Sequence, residues 1–241
     1  MSRRSRTEHS QGRVVAQSSS EIFEREAQRY DAWFDSEHGC GVFASEVRCL
    51  KHLSAGLPRP WLEVGVGTGR FAERLEVDVG VDPAIRALGW AAGRGVRVVA
   101  AVGEALPFRD GRFGAIFVIV TLCFAQKPGA LLREAARVVS RDGAIVLGIV
   151  PAENPWGRFY AAKARAGHLF YSAARFFALP ELRQLAEAAG LRVERSLSTL
   201  FQRPGKSRYE VEVPREGRDA AGGFVAILCR RPPTSGQDRS E

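Results

Sequence analysis

The stretch Trp61–Phe71 reads W-L-E-V-G-V-G-T-G-R-F: a short apolar run breaks into three glycines at alternating positions, and a helical pattern follows. Leu62 and Val64 fit a buried strand, and Arg70 begins the helix. Glycines let the backbone turn sharply and lie close against a ligand. The three glycines are Gly65, Gly67 and Gly69. The stretch therefore predicts a strand, a ligand-binding loop and a helix in succession.

The spacing of these glycines separates two classes of cofactor. The dinucleotide fingerprint G-x-G-x-x-G would place its last glycine at position 70, where this chain has Arg70. Glu63 stands two residues ahead of Gly65, and an acid there suits a cofactor that carries an adenosine and a cation rather than a diphosphate. S-adenosylmethionine is such a cofactor. A glycine-rich turn that binds nothing is the alternative.

The composition is that of an ordinary globular protein. The chain has 241 residues, 45% hydrophobic and 26% charged, without any run approaching the roughly 18 apolar residues of a membrane span. The basic N-terminus is followed by polar residues, so no secretion signal is indicated and a cytoplasmic location is expected. The cysteines show neither C-x-x-C pairing nor metal-ligand spacing, which predicts free thiols and no metal site. They are Cys40, Cys49, Cys123 and Cys229.

The formal net charge of +8 raises the question of nucleic acid, because clustered Lys and Arg neutralise phosphates. In this chain the Arg residues are scattered and mixed with Asp and Glu, and no basic stripe is interleaved with aromatic residues. A nucleic-acid substrate is therefore not favoured.

The chain divides into a body and two tails. Residues 1–17 and 232–241 are polar and predicted to be disordered, and residues 18–231 are predicted to form one domain. Ser18 and Glu21 make a capping box for a first helix, and a second helix precedes the first strand. The later patterns are a strand at 77–81, a helix from Pro83, strands at 96–102 and 113–121, a helix at 130–139, a strand at 144–150, a helix at 181–189 and strands at 191–199 and 223–229. This alternation predicts an α/β fold, a parallel sheet covered by helices on both faces.

In such sheets a ligand binds outside the carboxyl ends of the strands. Asp82 ends the second strand directly before Pro83, where a carboxylate can accept hydrogen bonds from both ribose hydroxyls or can instead cap the next helix. Gly103 and Glu104 follow the third strand, in a loop that offers backbone N–H groups and an apolar edge to an adenine. Thr121 ends the fourth strand. These residues are expected to converge on one site.

Four segments occur in a fixed order: E-V-G-V-G-T-G, V-G-V-D-P, G-E-A-L-P-F and L-L-R-E-A-A-R-V-V-S-R-D-G-A-I-V-L-G. Together they resemble the class I S-adenosylmethionine-dependent methyltransferases, in particular the type 11-like small-molecule group that includes ubiquinone and menaquinone biosynthesis enzymes. The resemblance runs from about Tyr30 to Arg230 and implies a Rossmann-like, seven-stranded sheet whose last strand inserts antiparallel. The cofactor-binding residues that it implies are Glu63, Gly65, Gly67, Gly69, Asp82, Gly103, Glu104 and Thr121.

Two positions depart from the family pattern. The family usually has an acid two residues before Glu104, placed for the adenine amino group, and this chain has Val102. Adenine recognition then falls on backbone groups and on Glu104. The family also tends to have Phe-Asp in the fourth strand, where this chain has Phe113-Gly114. That Asp is usually structural, so its loss is expected to affect stability rather than activity.

Residues 151–178 are expected to form an aromatic lid that selects the substrate, because the family shares a cofactor half and varies this region. Y-D-A-W-F from Tyr30 and the stretch from Trp156 are similar to a subgroup with provisional amine N-methyltransferase labels. Aromatic side chains of the lid and the first helix would attract a cationic amine by cation–π contact, or would pack against the sheet. The predicted substrate residues are Tyr30, Trp33, Trp156, Tyr160, His168 and Tyr171.

The predicted function is transfer of a methyl group from S-adenosylmethionine to a small molecule, an amine or a quinone- or phenol-like acceptor, by in-line displacement. Positioning alone contributes roughly 7 to 11 kcal/mol to such reactions. A general base is needed only if the acceptor arrives protonated, and no catalytic residue is assigned. The candidates for this base are His168, Tyr160, Tyr171 and Lys163. The alternatives are a nucleic-acid or protein methyltransferase, a non-catalytic S-adenosylmethionine-binding protein and a nicotinamide-dependent oxidoreductase.

Overall fold

The computed structural model describes residues 19–217 and 221–232. The helices are α1 (Ser19–Asp35), α2 (Glu37–Ser54), α3 (Arg70–Leu75), α4 (Ile85–Gly93), α5 (Pro128–Val138), α6 (Pro155–Arg165) and α7 (Leu179–Ala188). The strands are β1 (Trp61–Val64), β2 (Val79–Asp82), β3 (Arg97–Ala100), β4 (Phe113–Ile119), β5 (Val139–Ile149), β6 (Arg192–Thr199), β7 (Arg215–Glu216) and β8 (Phe224–Arg230). Two 3₁₀ turns, Leu122–Phe124 and Tyr171–Ala173, complete the description.

The strands form one sheet in the order β3-β2-β1-β4-β5-β8-β6-β7. The first five run parallel, and β8 inserts antiparallel between β5 and β6. The predicted Rossmann-like methyltransferase fold is confirmed. One element was not predicted: the two-residue strand β7 pairs with the edge of β6 and brings the number of strands to eight.

The order of the strands reverses between β1 and β4. The chain builds outward from β1 to β2 and β3, then returns to place β4 on the other side of β1. Connections leave a crevice at such a reversal, at the carboxyl ends of the two central strands. The glycine loop that follows β1 and the turn that follows β4 therefore face the same crevice.

Successive residues of the central strands alternate between two hydrophobic cores. Phe117 and Val146 pack on one face of the sheet with residues of α2, including Leu50. Ile116 and Ile145 pack on the opposite face with residues of α5 and α7. Both faces of a parallel sheet are covered in this way, so its strands consist of nearly continuous apolar runs.

The boundaries of several elements differ from the sequence prediction. Asp82 ends β2, as predicted, whereas β2 begins at Val79 rather than at residue 77. The strand predicted at 144–150 begins earlier, at Val139, because Val139 pairs with Phe113 as soon as α5 ends. Ser18 of the predicted capping box and the predicted tails, apart from Pro232, lie outside the described residues.

Three expectations from composition can be compared with the described residues. All four cysteines are free thiols, and Cys49 and Cys229 are buried. Within residues 19–217 and 221–232, no grouping of His, Cys, Asp and Glu side chains could hold a metal ion. Among the helices that the structure describes, none has the length and apolarity needed to cross a membrane.

Gly114 occupies the position where the family tends to have Asp. A Cβ atom added to Gly114 would lie 2.0 Å from the carbonyl oxygen of Pro58, which is backbone and cannot swing away. The segment before β1 is also held in place, because the N–H of Gly114 donates a hydrogen bond to the carbonyl of Pro60 at 2.8 Å. In this chain, glycine in place of the family's Asp allows two backbone segments to lie close together.

We expect Gly114→Ala to destabilise the protein by about 3 kcal/mol, the upper range for forcing atoms into a packed site. Gly93→Ala is the matched control, because an added Cβ at Gly93 meets no atom within 4 Å. Denaturant unfolding of the two variants should show a loss for Gly114→Ala and a change of less than about 1 kcal/mol for Gly93→Ala. Equal stabilities would contradict the packing account.

Candidate functional site

A cavity of about 300 Å³ opens at the carboxyl ends of β1, β2 and β4. Seven of the eight predicted cofactor-binding residues line it: Glu63, Gly65, Gly67, Asp82, Gly103, Glu104 and Thr121. Gly69 is not among its lining residues. It precedes α3 with φ of 83°, and an added Cβ would lie 2.8 Å from the Cα of Ala91. Gly69 thus serves the close packing of α4 against the loop.

The glycine loop passes close over the end of β4. Gly65 has φ of 75°, and an added Cβ would lie 2.2 Å from Cγ2 of Thr121, so no other residue fits. The hydroxyl of Thr121 lies within hydrogen-bonding distance of the carbonyls of Gly65, at 3.2 Å, and Ile119, at 2.9 Å. Gly67 is different: the nearest atom to its added Cβ is Cε1 of Tyr30, 4.0 Å away. Its backbone therefore presents an open surface to the cavity.

Asp82 fastens this loop to the next strand. Its Oδ2 accepts a hydrogen bond from the N–H of Gly67 at 2.9 Å, and its Oδ1 accepts one from the N–H of Ala84 at 2.9 Å. Burial raises the pKa of Asp82 above its usual value, although these two hydrogen bonds act in the opposite direction. Asp82 is not the helix cap that the sequence offered as an alternative, because the N-cap of α4 is Ala84, which has no side-chain cap bond. Each carboxylate oxygen keeps a second lone pair that a ribose hydroxyl can use.

Glu63 is a buried acid in the cavity wall with an unsatisfied carboxyl oxygen. It is 1% exposed, and its Oε2 has no hydrogen-bond partner in the part of the chain that the structure describes. Burial raises the pKa of Glu63 well above its usual value, and the negative charge of Asp82 raises it further. A buried acceptor without a donor is costly. The position fits a ligand that brings hydrogen-bond donors and a positive charge.

The loop after β3 forms the third side of the cavity. Gly103 packs tightly, because an added Cβ would lie 2.7 Å from Leu131 and 2.8 Å from Val64. Glu104 accepts a hydrogen bond from the N–H of Lys127 at 3.1 Å, which ties this loop to the start of α5. Val102, where the family usually has an acid, is 45% exposed and lines the cavity. It offers an apolar surface rather than a hydrogen-bond acceptor.

Helix α1 forms the roof of the cavity and is held to the glycine loop by ion pairs. Arg70 binds both carboxylate oxygens of Asp31, at 2.9 and 2.6 Å, and also binds Asp35. Arg94 adds a bond to Asp31 at 3.0 Å and one to the carbonyl of Thr68 at 2.8 Å. Burial alone would raise the pKa of Asp31, but the hydrogen bonds and charges of the arginines outweigh it and lower that pKa. The carboxylate therefore stays charged.

Several cavity residues were not predicted as site residues. Val120 follows β4 with φ of 49°, a conformation that a β-branched side chain rarely adopts. Phe23 of α1 and Phe124 of the following turn pack edge to face, with ring centroids 5.0 Å apart. Phe23 belongs to the apolar pattern of the first helix, and Phe124 ends the segment T-L-C-F at 121–124, which is similar to the same methyltransferase subgroup. Val120, Phe23 and Phe124 all line the cavity.

The predicted substrate residues separate into two groups. Tyr30 lines the cavity and contacts Phe170 of the lid segment, with ring centroids 5.6 Å apart. The other five residues, which are not among those that line this cavity, are Trp33, Trp156, Tyr160, His168 and Tyr171.

The second group packs mainly against itself and the protein interior. The rings of Tyr160 and Tyr171 stack with centroids 4.4 Å apart, and His168 stacks on Tyr171 at 4.4 Å. Burial, together with the charges of nearby cations, lowers the pKa of His168. Trp156 is buried, with its indole N–H donated to the carbonyl of Gln202 at 2.9 Å. Packing thus accounts for most of these aromatic residues.

Comparison with known proteins identifies the family. A family model described as a methyltransferase domain matches residues 62–147. A solved structure from Thermotoga maritima, described as a SAM-dependent methyltransferase, "possible histamine N-methyltransferase", is 36% identical with a TM-score of 0.81, covering 88% of this chain and 99% of its own. The chain belongs to the S-adenosylmethionine-dependent methyltransferases.

Two further relatives have no described function. An uncharacterized protein of Methanocaldococcus jannaschii is 36% identical over 211 residues, which is 87% of this chain and 98% of its own length. An uncharacterized protein of Mycobacterium tuberculosis is 45% identical over 203 residues, which is 84% of this chain and 71% of its own length. The similarity thus extends over the whole domain and well beyond the glycine loop.

S-adenosylmethionine is the cofactor of this methyltransferase, and the cavity fits it. The open backbone at Gly67 gives a ligand room to approach, and the carboxylates of Glu63 and Asp82 match a cofactor with hydroxyl donors and positive charge. A diphosphate would still be repelled, because its negative charges would lie beside two acids whose raised pKa values show that the site disfavours negative charge. Arg70 does not compensate for this repulsion, because its guanidinium is bound by Asp31 and Asp35.

We expect Asp82→Ala to weaken S-adenosylmethionine binding at least tenfold, because hydrogen bonds to a charged group are worth about 1.5 to 3 kcal/mol. Calorimetric titration measures the effect, and Asp110→Ala, at a side chain that is 80% exposed, is the control. A ribose role also predicts that Asp82→Ala removes any preference for adenosine over 2′,3′-dideoxyadenosine. An unchanged dissociation constant would disprove the ribose assignment.

We expect Arg70→Lys to loosen α1, because lysine cannot reproduce the two-pronged bond to Asp31. Amide hydrogen exchange at residues 27–35 should become at least tenfold faster, while the central strands should remain unchanged. Arg86→Lys is the control, since the Arg86 side chain is exposed and its guanidinium lies 3.8 Å from the carboxylate of Glu24. Equal protection of α1 in all three proteins would mean that the ion pairs do not hold the roof.

Proposed function

We propose that this methyltransferase transfers the methyl group of S-adenosylmethionine to the nitrogen of a small amine. The observation that carries the proposal is the aromatic roof over the cavity of about 300 Å³. Aromatic faces attract an ammonium group. The roof consists of Phe23, Tyr30, Phe34 and Phe124.

The sequence relative with a solved structure supports the same class of acceptor. Its description as a possible histamine N-methyltransferase concerns that protein, whose identity to this chain is 36% over 88% of the residues. Transfer of that activity to this chain is part of the proposal. The cavity volume is at the lower end of the range for small-molecule sites, which disfavours nucleic acid or protein as the acceptor.

The site residues have separate proposed roles in this scheme. Glu63 would pair with the cationic part of the cofactor, and Asp82 would accept the ribose hydroxyls. Gly65 and Gly67 would allow the backbone to approach the cofactor, and Thr121 would lie beneath its methionine portion. Gly103, Glu104 and Val102 would bound the adenine. The roof would exclude water and orient the acceptor, since positioning is the main requirement of this reaction.

When bound, S-adenosylmethionine would supply a methyl group on positively charged sulfur. The lone pair of the acceptor would form the new bond to the methyl carbon, and the electron pair of the broken carbon–sulfur bond would stay on sulfur. No metal or redox partner enters this balance. The protein residues need only hold the acceptor nitrogen on the line of the breaking bond and keep it unprotonated.

Turnover on a set of acceptors tests the proposal. Formation of S-adenosylhomocysteine should require a small amine, with histamine and 2-phenylethylamine as the first compounds, and should not occur with quinols, phenols, bulk tRNA or protein. Turnover confined to quinols or phenols would change the acceptor class. Turnover on tRNA with steep salt dependence would indicate a nucleic-acid enzyme. Cofactor binding without turnover on any acceptor would favour a binding protein.

Two variants of α1 sharpen this experiment. We expect Tyr30→Ala to reduce kcat/KM for the amine at least tenfold, because the ring lines the cavity and its removal loses both contact area and cation–π attraction. Trp33→Ala is the matched control, since Trp33 lies on the same helix but packs edge to face on Phe34 and not in the cavity wall. Equal losses in the two variants would contradict the proposed acceptor site.

A further inference from the structure

Helix α1 is bent at one residue. Glu26 lies between two helical pieces and has φ of −110° and ψ of 17°, which are not helical angles. The helix contains neither Pro nor Gly, the usual causes of a sharp bend. We call residues 19–25 the front segment and residues 27–35 the rear segment. A break in helical geometry is a position at which the relative angle of two segments can change.

The rear segment is fixed to the body of the protein. Arg70 and Arg94 both bind the carboxylate of Asp31, whose side chain is 4% exposed. Ala27 and Phe34 are buried, each in a hydrophobic cluster with residues from other elements. Buried charge pairs and apolar packing therefore hold this segment in place.

The front segment is held by hydrogen bonds that open more easily. The hydroxyl of Ser19 donates to the carbonyl of Phe124 at 3.0 Å, and the carboxylate of Glu24 accepts from the N–H of Arg86 at 2.9 Å. The first of these bonds is partly buried and the second is exposed. Water can replace such bonds when the segment moves, so they oppose its movement only weakly.

Phe23 supplies the apolar contacts of the front segment with neighbouring elements. Its ring packs edge to face on Phe124 with centroids 5.0 Å apart, and stacks on Phe170 at 5.5 Å. Phe124 belongs to the first 3₁₀ turn, and Phe170 lies just before the second. This one side chain therefore joins the front segment to two other parts of the chain.

The front segment also covers the cofactor cavity. Ser19, Ser20 and Phe23 line the cavity from α1, and Phe124 and Gln126 line it from the facing side. The space beneath them is about 300 Å³. A cavity of roughly 150 Å³ holds one benzene-sized molecule, so this space has no room for S-adenosylmethionine and an acceptor together. The roof must move before both can bind.

We propose that the front segment is a lid that turns about Glu26 while the rear segment stays in place, and that Phe23 holds this lid closed. With the lid open, the cofactor and the acceptor enter between α1 and the first 3₁₀ turn. With the lid closed, the ring of Phe23 returns to Phe124 and Phe170 and keeps water from the bound molecules. Access to the site is separate from the choice of acceptor, so the lid does not depend on the proposed amine activity.

Thiol labelling of Ile22→Cys tests whether the lid opens. Ile22 is 6% exposed on the front segment and is not among the residues that line the cavity, so a bound ligand does not cover it directly. In the empty protein the introduced thiol should react with a maleimide at least tenfold faster than buried Cys49, the two sites being separated by mass spectrometry of peptides. Saturating S-adenosylhomocysteine should slow this reaction at least tenfold relative to Cys49 and leave exposed Cys40 unchanged.

Two results of the labelling experiment would overturn the lid. Labelling of the introduced thiol at the rate of Cys49, with and without ligand, would mean that the front segment opens only when the whole protein unfolds. Fast labelling that S-adenosylhomocysteine does not slow would mean that the segment moves without closing over the site.

Stopped-flow binding of S-adenosylhomocysteine tests the role of Phe23 and decides the proposal even if Ile22→Cys does not fold. Phe23→Ala should raise both the association and the dissociation rate constant roughly fivefold or more, because a closed lid limits both steps. Trp33→Ala is the matched control, since Trp33 lies on the rear segment outside the cavity wall. It should leave both rate constants within about twofold of wild type.

The kinetic outcomes separate a lid from a simple contact. A rise in the dissociation rate constant alone would make Phe23 a contact residue of the ligand, and unchanged rate constants would mean that Phe23 does not close the cavity. Neither measurement uses an acceptor. Failure of these tests therefore leaves the amine proposal standing, and failure of the acceptor screen leaves the lid standing.

Discussion

The hydrogen bonds from the backbone of Gly67 and Ala84 to the carboxylate of Asp82 are the interaction on which the rest of the site depends. A loop with three glycines loses more conformational freedom on folding than a loop of the same length without glycine. Asp82 offsets this loss by joining the loop after β1 to the end of β2 and the start of α4. The cavity wall is thereby formed before any ligand arrives. Pre-organisation of this kind lowers the cost of binding.

The roof of the cavity depends on a second electrostatic contact. Arg70 stands where a dinucleotide-binding loop would have its third glycine, and its guanidinium joins the glycine loop to Asp31 of α1. Arg70, whose presence argues against a dinucleotide cofactor, thus also holds the helix that places Tyr30 and Phe23 above the cavity. The guanidinium of Arg70 is already paired within the protein, so the acids Glu63 and Asp82 determine which ligand groups the cavity wall can bind. The roof of the cavity and the exclusion of a dinucleotide thus both involve Arg70.

Much of this arrangement was predictable from the sequence because its signals are local. The alternation of apolar residues predicted the strands, and the glycine spacing predicted a loop that lines the cavity at Gly65 and Gly67. The pairing of Asp31 with Arg70 joins residues 39 positions apart, and no local pattern indicates it. The bend at Glu26 is equally invisible, since α1 contains neither Pro nor Gly. Trp33 and Trp156 are of a residue type that forms cation-binding cages. The orientation of their helices places them in packing contacts instead.

The measurement that tests the central claim most directly is a side-by-side calorimetric titration of the purified protein with S-adenosylmethionine, S-adenosylhomocysteine and NAD. The account predicts micromolar binding of the first two and none of NAD, because the carboxylate wall accepts a cation and hydroxyl groups and repels a diphosphate. Binding of NAD alone would contradict this account of the glycine loop, together with the site and the function built on it.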